Sequence, residues 1–183
     1  MKQLTLILTI LVAAASCTLS AADAPKRQGW SEDGPLYGNV ESVTITSYFL
    51  KDSSGVLSRS KIKEKICYNF NESGDVTERA EYGSDGSLKE RYTYKYDINE
   101  KKTERATYNS DGSLGNKWIY KYDTKGNKTE FAYYKSDSSL GNKWIYKYDT
   151  KGNMTEETKY DSACSLEDKY ICKYDKKGNM TEE

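Results

Sequence analysis

Asn116–Thr129 reads N-K-W-I-Y-K-Y-D-T-K-G-N-K-T, and Asn142–Thr155 repeats it with only Lys128 exchanged for Met154. The offset is 26 residues, and it carries Tyr68 to Tyr94, Tyr120, Tyr146 and Cys172 without a gap. Four full units and a partial fifth therefore fill residues 62–183. A fixed period of this length marks an array of identical supersecondary units, so the fold question becomes what one unit is.

Within a unit, Trp118-Ile119-Tyr120-Lys121-Tyr122 alternates aromatic with other residues, the period-2 pattern of a strand. Asp123-Thr124-Lys125-Gly126-Asn127 reads as a turn. The aspartate accepts local backbone hydrogen bonds, and glycine supplies the left-handed position of a type I turn with a G1 bulge. Thr129–Tyr134 is the returning strand, and Ser136-Asp137-Ser138-Ser139-Leu140 is a second turn, written S-D-G-S-L from Ser84 and Ser110. Nothing is left over for a helix. The pattern predicts an all-β fold: an antiparallel meander of repeated 26-residue β-hairpins forming a twisted or curled single sheet.

Pairing Asp123 with Asn127 across a three-residue loop places Tyr120 opposite Glu130 and Trp118 opposite Ala132. One face then carries Trp118, Tyr120, Tyr122, Glu130, Ala132 and Tyr134, and the other Ile119, Lys121, Thr129, Phe131 and Tyr133. The first set recurs between units, as Tyr94/Tyr120/Tyr146, Glu78/Glu104/Glu130/Glu156 and Tyr82/Tyr108/Tyr134/Tyr160. The second drifts: the Phe131 position holds Arg79, Arg105 and Glu157 elsewhere. The expectation is an aromatic face that packs and a drifting face that meets solvent. In the second unit Asn99-Glu100-Lys101 replaces the turn Gly and Asn, which predicts a looser turn there.

The ends of the chain differ from the array. Lys2 followed by the apolar run Leu4–Ala15 is too short for a membrane span and reads as an export signal over residues 1–22. Two cleavage readings stand. Ala14-Ala15-Ser16-Cys17 resembles a bacterial lipobox, with Cys17 the lipidated residue, and Ser20-Ala21-Ala22 suits an ordinary signal peptidase. The first predicts a membrane-anchored lipoprotein of the bacterial envelope, the second a periplasmic or secreted protein. Residues 23–36, with Pro25 and Pro35, read as a linker. Residues 37–61 read as a divergent capping hairpin, with strand Val40–Leu50, turn Lys51–Gly55, and Val56–Phe70 leading into the first unit. Gly178–Glu183 stops in mid-hairpin, which predicts a strand edge open to association.

Composition bounds the chemistry. With 28 basic and 28 acidic residues, and a net charge of −1 once Lys2 is removed, nothing favours a nucleic-acid partner. The 17 tyrosines suit a tyrosine-rich sheet face better than a deep aliphatic core. The absence of histidine removes Ser-His-Asp and Cys-His catalysis and His-ligated zinc. Cys164 and Cys172 lie across one predicted turn, so a disulfide and two unpaired replacements by repeat drift are both open.

The motif Y-K-Y-D-x-x-G-N-x-T-E, at Tyr120–Glu130 and Tyr146–Glu156, resembles the YD (RHS) repeat of bacterial Rhs proteins and animal teneurins. The resemblance covers roughly residues 62–183 and implies a β-sheet array at the cell surface. Rhs proteins wind dozens of such repeats into a shell around a toxin, and five units are too few to close one. A remnant of an Rhs-type shell is the alternative expectation, and toxin activity is not implied.

Three sets of residues invite a sharper reading. Asp97, Asp123, Asp149 and Asp175 are explained as turn starters, and calcium would need several oxygens converging on one point, so no metal or other cofactor is expected. The Glu78/Glu104/Glu130/Glu156/Glu182 column is expected among tyrosine hydroxyls. Equivalent carboxylates on one sheet do not give the two distinct environments that a glycoside hydrolase needs. The aromatic face, Tyr94, Trp118, Tyr120, Trp144 and Tyr146, is the candidate ligand surface, with Trp118 and Trp144 expected roughly 9–10 Å apart. Flat rings suit a glycan or a surface protein, and the competing role for them is the core. The Asn-x-Thr triplets at Asn127, Asn153 and Asn179 follow from the turn. The expected function is a non-enzymatic binding or scaffolding surface, held to the membrane through a lipid on Cys17.

Overall fold

The computed structural model describes residues 5–14, as backbone course only, and 40–182. The chain is all strand: β1 (Thr5–Ala14), β2 (Val40–Ser53), β3 (Val56–Phe70), β4 (Val76–Tyr82), β5 (Leu88–Tyr96), β6 (Lys102–Tyr108), β7 (Leu114–Tyr122), β8 (Lys128–Tyr134), β9 (Leu140–Tyr148), β10 (Met154–Tyr160), β11 (Leu166–Ile171), β12 (Lys173–Tyr174) and β13 (Met180–Glu182). β1 to β11 follow one another in a single antiparallel sheet, and β12–β13 form a two-stranded ribbon. The expected meander is therefore observed. Two compact units divide it, Met1–Tyr94 with Tyr108–Ser113, and Lys95–Thr107 with Leu114–Glu183.

Thr5–Ala14, inside the segment read as an export signal, pairs antiparallel with β2. Cleavage at either expected site would remove this strand and free the β2 edge. Cys17, both cleavage sites and the linker 23–36 lie outside the described residues. In the capping hairpin β2 runs on to Ser53, so the turn is shorter than expected: Ser54 and Gly55 alone, both with positive φ (57° and 84°). That is the two-residue primed turn whose twist matches its strands.

The D-x-x-G-N turns follow the sequence reading. Asp123 Oδ1 accepts the N–H of Lys125 (2.9 Å) and of Asn127 (2.8 Å), while Oδ2 accepts Asn127 Nδ2 (2.9 Å). Asp149 and Asp175 repeat the arrangement. The Asn99-Glu100-Lys101 turn is not looser in its backbone. Asp97 still accepts Asn99 and Lys101 N–H, and the Asp97–Lys101 backbone bond is 2.9 Å. Lys101 cannot supply the amide donor, and Glu100 is held at φ 61° where its counterpart Gly126 takes 84°.

The register departs from expectation by one residue. Tyr122 pairs with Lys128, but Lys121 pairs with Glu130, Tyr120 with Phe131, Ile119 with Ala132 and Trp118 with Tyr133. Thr129 is the extra residue, and Thr77, Thr155 and Thr181 are skipped in the same way in their own pairs. The bulged threonine keeps itself satisfied: Thr77 and Thr181 hydroxyls donate to the carbonyls of Asn69 and Lys173 on the facing strand. A one-residue insertion moves every later side chain to the other face.

The two faces are thus composed differently from the expectation. Glu130 leaves the tyrosines and joins lysines, with Lys121 Nζ at 3.0 Å and Lys143 Nζ at 3.4 Å. Glu156 lies between Lys147 (2.9 Å) and Lys169 (3.2 Å), and Glu104 binds Lys95 (2.9 Å). This charged face hides a small residue in every unit: Ala80 in the first compact unit, and Ala106, Ala132 and Thr158 in the second, are each 5% exposed or less. Phe131 and its counterparts Arg79 and Arg105 belong to the aromatic face. There Arg79 lies over Tyr92 (5.8 Å) and Arg105 over Trp118 (4.6 Å). At Arg79, Arg105 and Phe131 the drifting position therefore exchanges one ring-stacking side chain for another, and only Glu157 departs from the series. In the first compact unit the same face is a core of Val40, Val43, Ile45, Tyr68, Phe70 and Val76, with Ile66 and Tyr94 packed against it.

Within the second compact unit each repeat is tied to its neighbour. In the second compact unit the phenols of Tyr122, Tyr148 and Tyr174 donate to the carbonyls of Lys102, Lys128 and Met154, at 2.9, 2.8 and 2.8 Å. Lys125 and Lys151 ammonium groups donate to the turn carbonyls of Thr150 and Lys176, one unit on. The Tyr-Asp pair thus divides its work, tyrosine clamping the previous unit and aspartate closing its own turn.

Two outcomes are expected. A non-glycine residue in the left-handed region costs more than the entropy that glycine loses, so Glu100→Gly should raise unfolding free energy by about 0.5–1 kcal/mol in urea melts. For Glu156, contacts from Lys147 and Lys169 hold the carboxyl down at about 2, against an ordinary 4.5. A depressed carboxyl stabilises the fold above its ordinary value and loses that contribution as pH falls from 4.5 through 2. The melting temperature of Glu156→Gln should therefore fall less than the parent's across that interval.

Candidate functional site

The bulge at Thr129 gathers rings that the sequence register had separated. On β7, β8 and β9, Tyr120, Phe131 and Trp144 stand in one row across the strands, with centroids 5.3 and 5.1 Å apart and tilted by 37° and 40°. Trp118 and Tyr133 make a parallel row at 5.7 Å. Both spacings fall in the range of tilted aromatic contact, where a ring edge meets a ring face. Tyr146 follows on β9, paired with Glu157 of β10.

The row is staggered. Tyr120 shares its row with Trp144, not with its repeat counterpart Tyr146, because both pairings on β8 carry a bulge. Equivalent residues on alternate strands are thus displaced by two residues along the strand. Trp118 and Trp144 lie roughly 12 Å apart on this geometry rather than the expected 9–10 Å. Trp118, Tyr120, Trp144 and Tyr146 share one face of the second compact unit, all half-buried. Tyr94 is different, since it packs against the core of the first.

Phe131, Tyr133 and Lys128 belong to this surface and were missed by sequence reasoning. Tyr133 lays its ring over Gly141, where a Cβ would come within 2.3 Å of it, and donates its hydroxyl to Asn116 Oδ1 (3.0 Å). Gly141 is the skipped residue between Leu140 and Asn142 in the β8–β9 pairing, so this glycine exists to admit a ring. Lys128 Nζ stands 4.8 Å from the Tyr146 ring centroid and 5.7 Å from that of Phe131. Lys159 lies 5.7 Å over Trp144 while pairing with Glu167 at 3.1 Å. Burial pushes the Tyr146 phenol up to about 12, with Glu157 and Tyr148 adding to it. Burial likewise raises Tyr120, against the opposing charge of Arg105. These phenols remain neutral donors at any physiological pH.

A groove of about 470 Å³ opens between two consecutive turns beside Tyr146 and Tyr148, rimmed by Asp123, Thr124, Asp149 and Thr150. Both aspartates are already engaged by their own turns. Among the described residues no group of three or more Cys, Asp or Glu is placed to hold a metal. Glu130 is desolvated, yet its contacts with Lys121 and Lys143 still lower its proton affinity below that of an ordinary carboxylate.

Of the two readings left open for Cys164 and Cys172, the structure shows the unpaired one. Cys164 occupies the left-handed turn position (φ 59°), is exposed, and is a free thiol. Cys172 is also free, buried just past the far end of β11, where its N–H donates to Thr155 O (3.0 Å). Eight residues of extended chain separate them by roughly 25 Å, far beyond disulfide reach. They flank the two ends of β11 (Leu166–Ile171) instead of facing each other across a turn.

No protein-family model matches the chain, and no curated protein does. Among solved structures, a protein of unknown function from Bacteroides fragilis is similar at 18% identity and a TM-score of 0.36, over 70% of this chain and 91% of that one. A porin-like protein from Bacteroides uniformis is similar at 13% identity and a TM-score of 0.28, over 79% and 91%. The Photorhabdus luminescens Tc holotoxin pore structure is similar at 13% identity and a TM-score of 0.25, over 75% of this chain and 11% of that one.

Proposed function

We propose that this protein is a non-enzymatic binding or scaffolding component of the bacterial envelope, and that its ligand surface is the aromatic face of the second compact unit. The observation that carries the reading is the contiguous half-buried row Tyr120–Phe131–Trp144, flanked by Trp118, Tyr133 and Tyr146. A hydrophobic sheet face that only needed covering would suit aliphatic residues. This one instead presents planar rings with hydroxyl and amide edges from Tyr133 and Asn116. Such a surface suits stacking on the rings of a glycan or on the apolar patch of a surface protein. The carboxylates are turned to structure, since Glu130 and Glu156 each sit between two lysines. Attachment to the membrane is proposed to run through an acyl chain on Cys17.

Trp118→Ala with Trp144→Ala should lower retention on a polysaccharide matrix by roughly tenfold or more, from the loss of two stacking contacts. Circular dichroism should show the sheet intact. Equal retention by parent and variant, or none by the parent on polysaccharide or surface protein, would sink the reading. For the anchor, Cys17→Ser should abolish palmitate labelling and release the protein from the membrane fraction.

A further inference from the structure

The capping hairpin is longer than the sheet around it. β4 pairs with β3 only from Lys65 onward, and among the described residues β1 pairs with β2 as far as Phe49. Beyond those positions the pairs Leu50–Arg59, Lys51–Ser58, Asp52–Leu57 and Ser53–Val56 form a two-stranded ribbon with no further strand paired to it among the described residues. Four paired positions project it roughly 13 Å. Its turn is well made, with the Gly55 N–H donating to Asp52 Oδ1 at 2.8 Å. An isolated ribbon buries little and gains little stability, so its length calls for another explanation.

Its chemistry is polarised along its length. Val56 and Leu57, immediately after the turn, are 68% and 55% exposed and point to opposite sides of the ribbon. Ile62 is also exposed. Behind this tip stand Lys51, Arg59, Lys61, Lys63 and Lys65, with Glu64 among them, while Asp52 lies at the tip opposite Leu57 with its carboxylate held by the Gly55 N–H. Leu50–Lys65 therefore carries a net +3 in a chain whose formal charge is zero. Among the described residues Lys51, Lys61 and Lys63 make no ion pair. Arg59 lies over Tyr48 (5.3 Å), which stiffens the base of the ribbon.

We infer that this hairpin is a membrane-contacting arm, its Val56–Leu57 tip entering the acyl boundary of an anionic phospholipid bilayer while Lys51 and Arg59 engage the phosphate headgroups, backed by Lys61 and Lys63. Two apolar side chains at a tip gain modestly from shallow insertion, and basic residues close behind add electrostatic attraction to an anionic surface. Lys51 and Arg59 trail the tip by about 7 Å or less, close to the depth of a headgroup layer, and Lys61 and Lys63 follow roughly 13 and 20 Å back, where they add longer-range attraction to the anionic surface. The arm would orient the array on the surface independently of any lipid on Cys17.

The test uses the full chain carrying Leu57→Trp, mixed with vesicles of phosphatidylglycerol and phosphatidylethanolamine containing brominated acyl chains, and separately with phosphatidylcholine vesicles brominated in the same way. After subtraction of the parent's tryptophan signal, the emission of the indole introduced at the tip should shift blue and be quenched by the anionic vesicles only. Adding Lys61→Glu and Lys63→Glu should abolish that quenching while the fold persists. Absence of quenching in anionic vesicles, or equal quenching in both lipids, overturns the proposal. A blue shift without lipid that grows with protein concentration also overturns it, by showing a second copy at the tip. The readout is local to the hairpin tip, so binding through the N-terminus or the aromatic face does not mimic it.

Discussion

One extra residue per hairpin, the bulged threonine that follows each D-x-x-G-N turn, decides what each face of the sheet is made of. At Thr129 it turns a Tyr120–Glu130 pair into Tyr120–Phe131 and a Lys121–Thr129 pair into Lys121–Glu130. Oppositely charged residues then meet across strands on one side, and rings meet rings on the other. Without the bulge each carboxylate would be half-buried among tyrosines, and Phe131 would sit among lysines. The charge ladder and the aromatic row therefore have a common origin.

The repeated bulges also stagger the array. Each unit lies two residues along from its predecessor, so Tyr120 meets Trp144 and the small buried position of one unit faces a lysine of the next. The stagger brings the Tyr122 and Tyr148 phenols to the backbone carbonyls of Lys102 and Lys128. Binding between units is consequently local and repetitive, which is how linear arrays obtain stability without a central core.

Much of this was legible in the sequence. The period follows from Asn116–Thr129 set against Asn142–Thr155, and the strand-and-turn content and carboxylate-capped turns follow from Trp118–Leu140 alone, because turn chemistry is local. The register was not, since threonine suits a regular strand as well as a bulge. A signal was nevertheless present: lysine recurs between the two tyrosines at Lys95, Lys121 and Lys147, in step with Glu104, Glu130 and Glu156. Seeking opposite charges across the hairpin would have selected the observed pairing. The projecting ribbon was hidden for another reason, since its free length depends on where the neighbours β1 and β4 stop pairing.

The pairing across the β7–β8 hairpin is the claim on which both faces rest. Cross-strand nuclear Overhauser contacts in labelled protein read it directly, and Phe131 is a convenient probe because its repeat counterparts are Arg79, Arg105 and Glu157. The account requires backbone contacts between Phe131 and Tyr120, and between Phe131 and Trp144. Contacts joining Glu130 to Tyr120 instead would restore the unbulged register and contradict it.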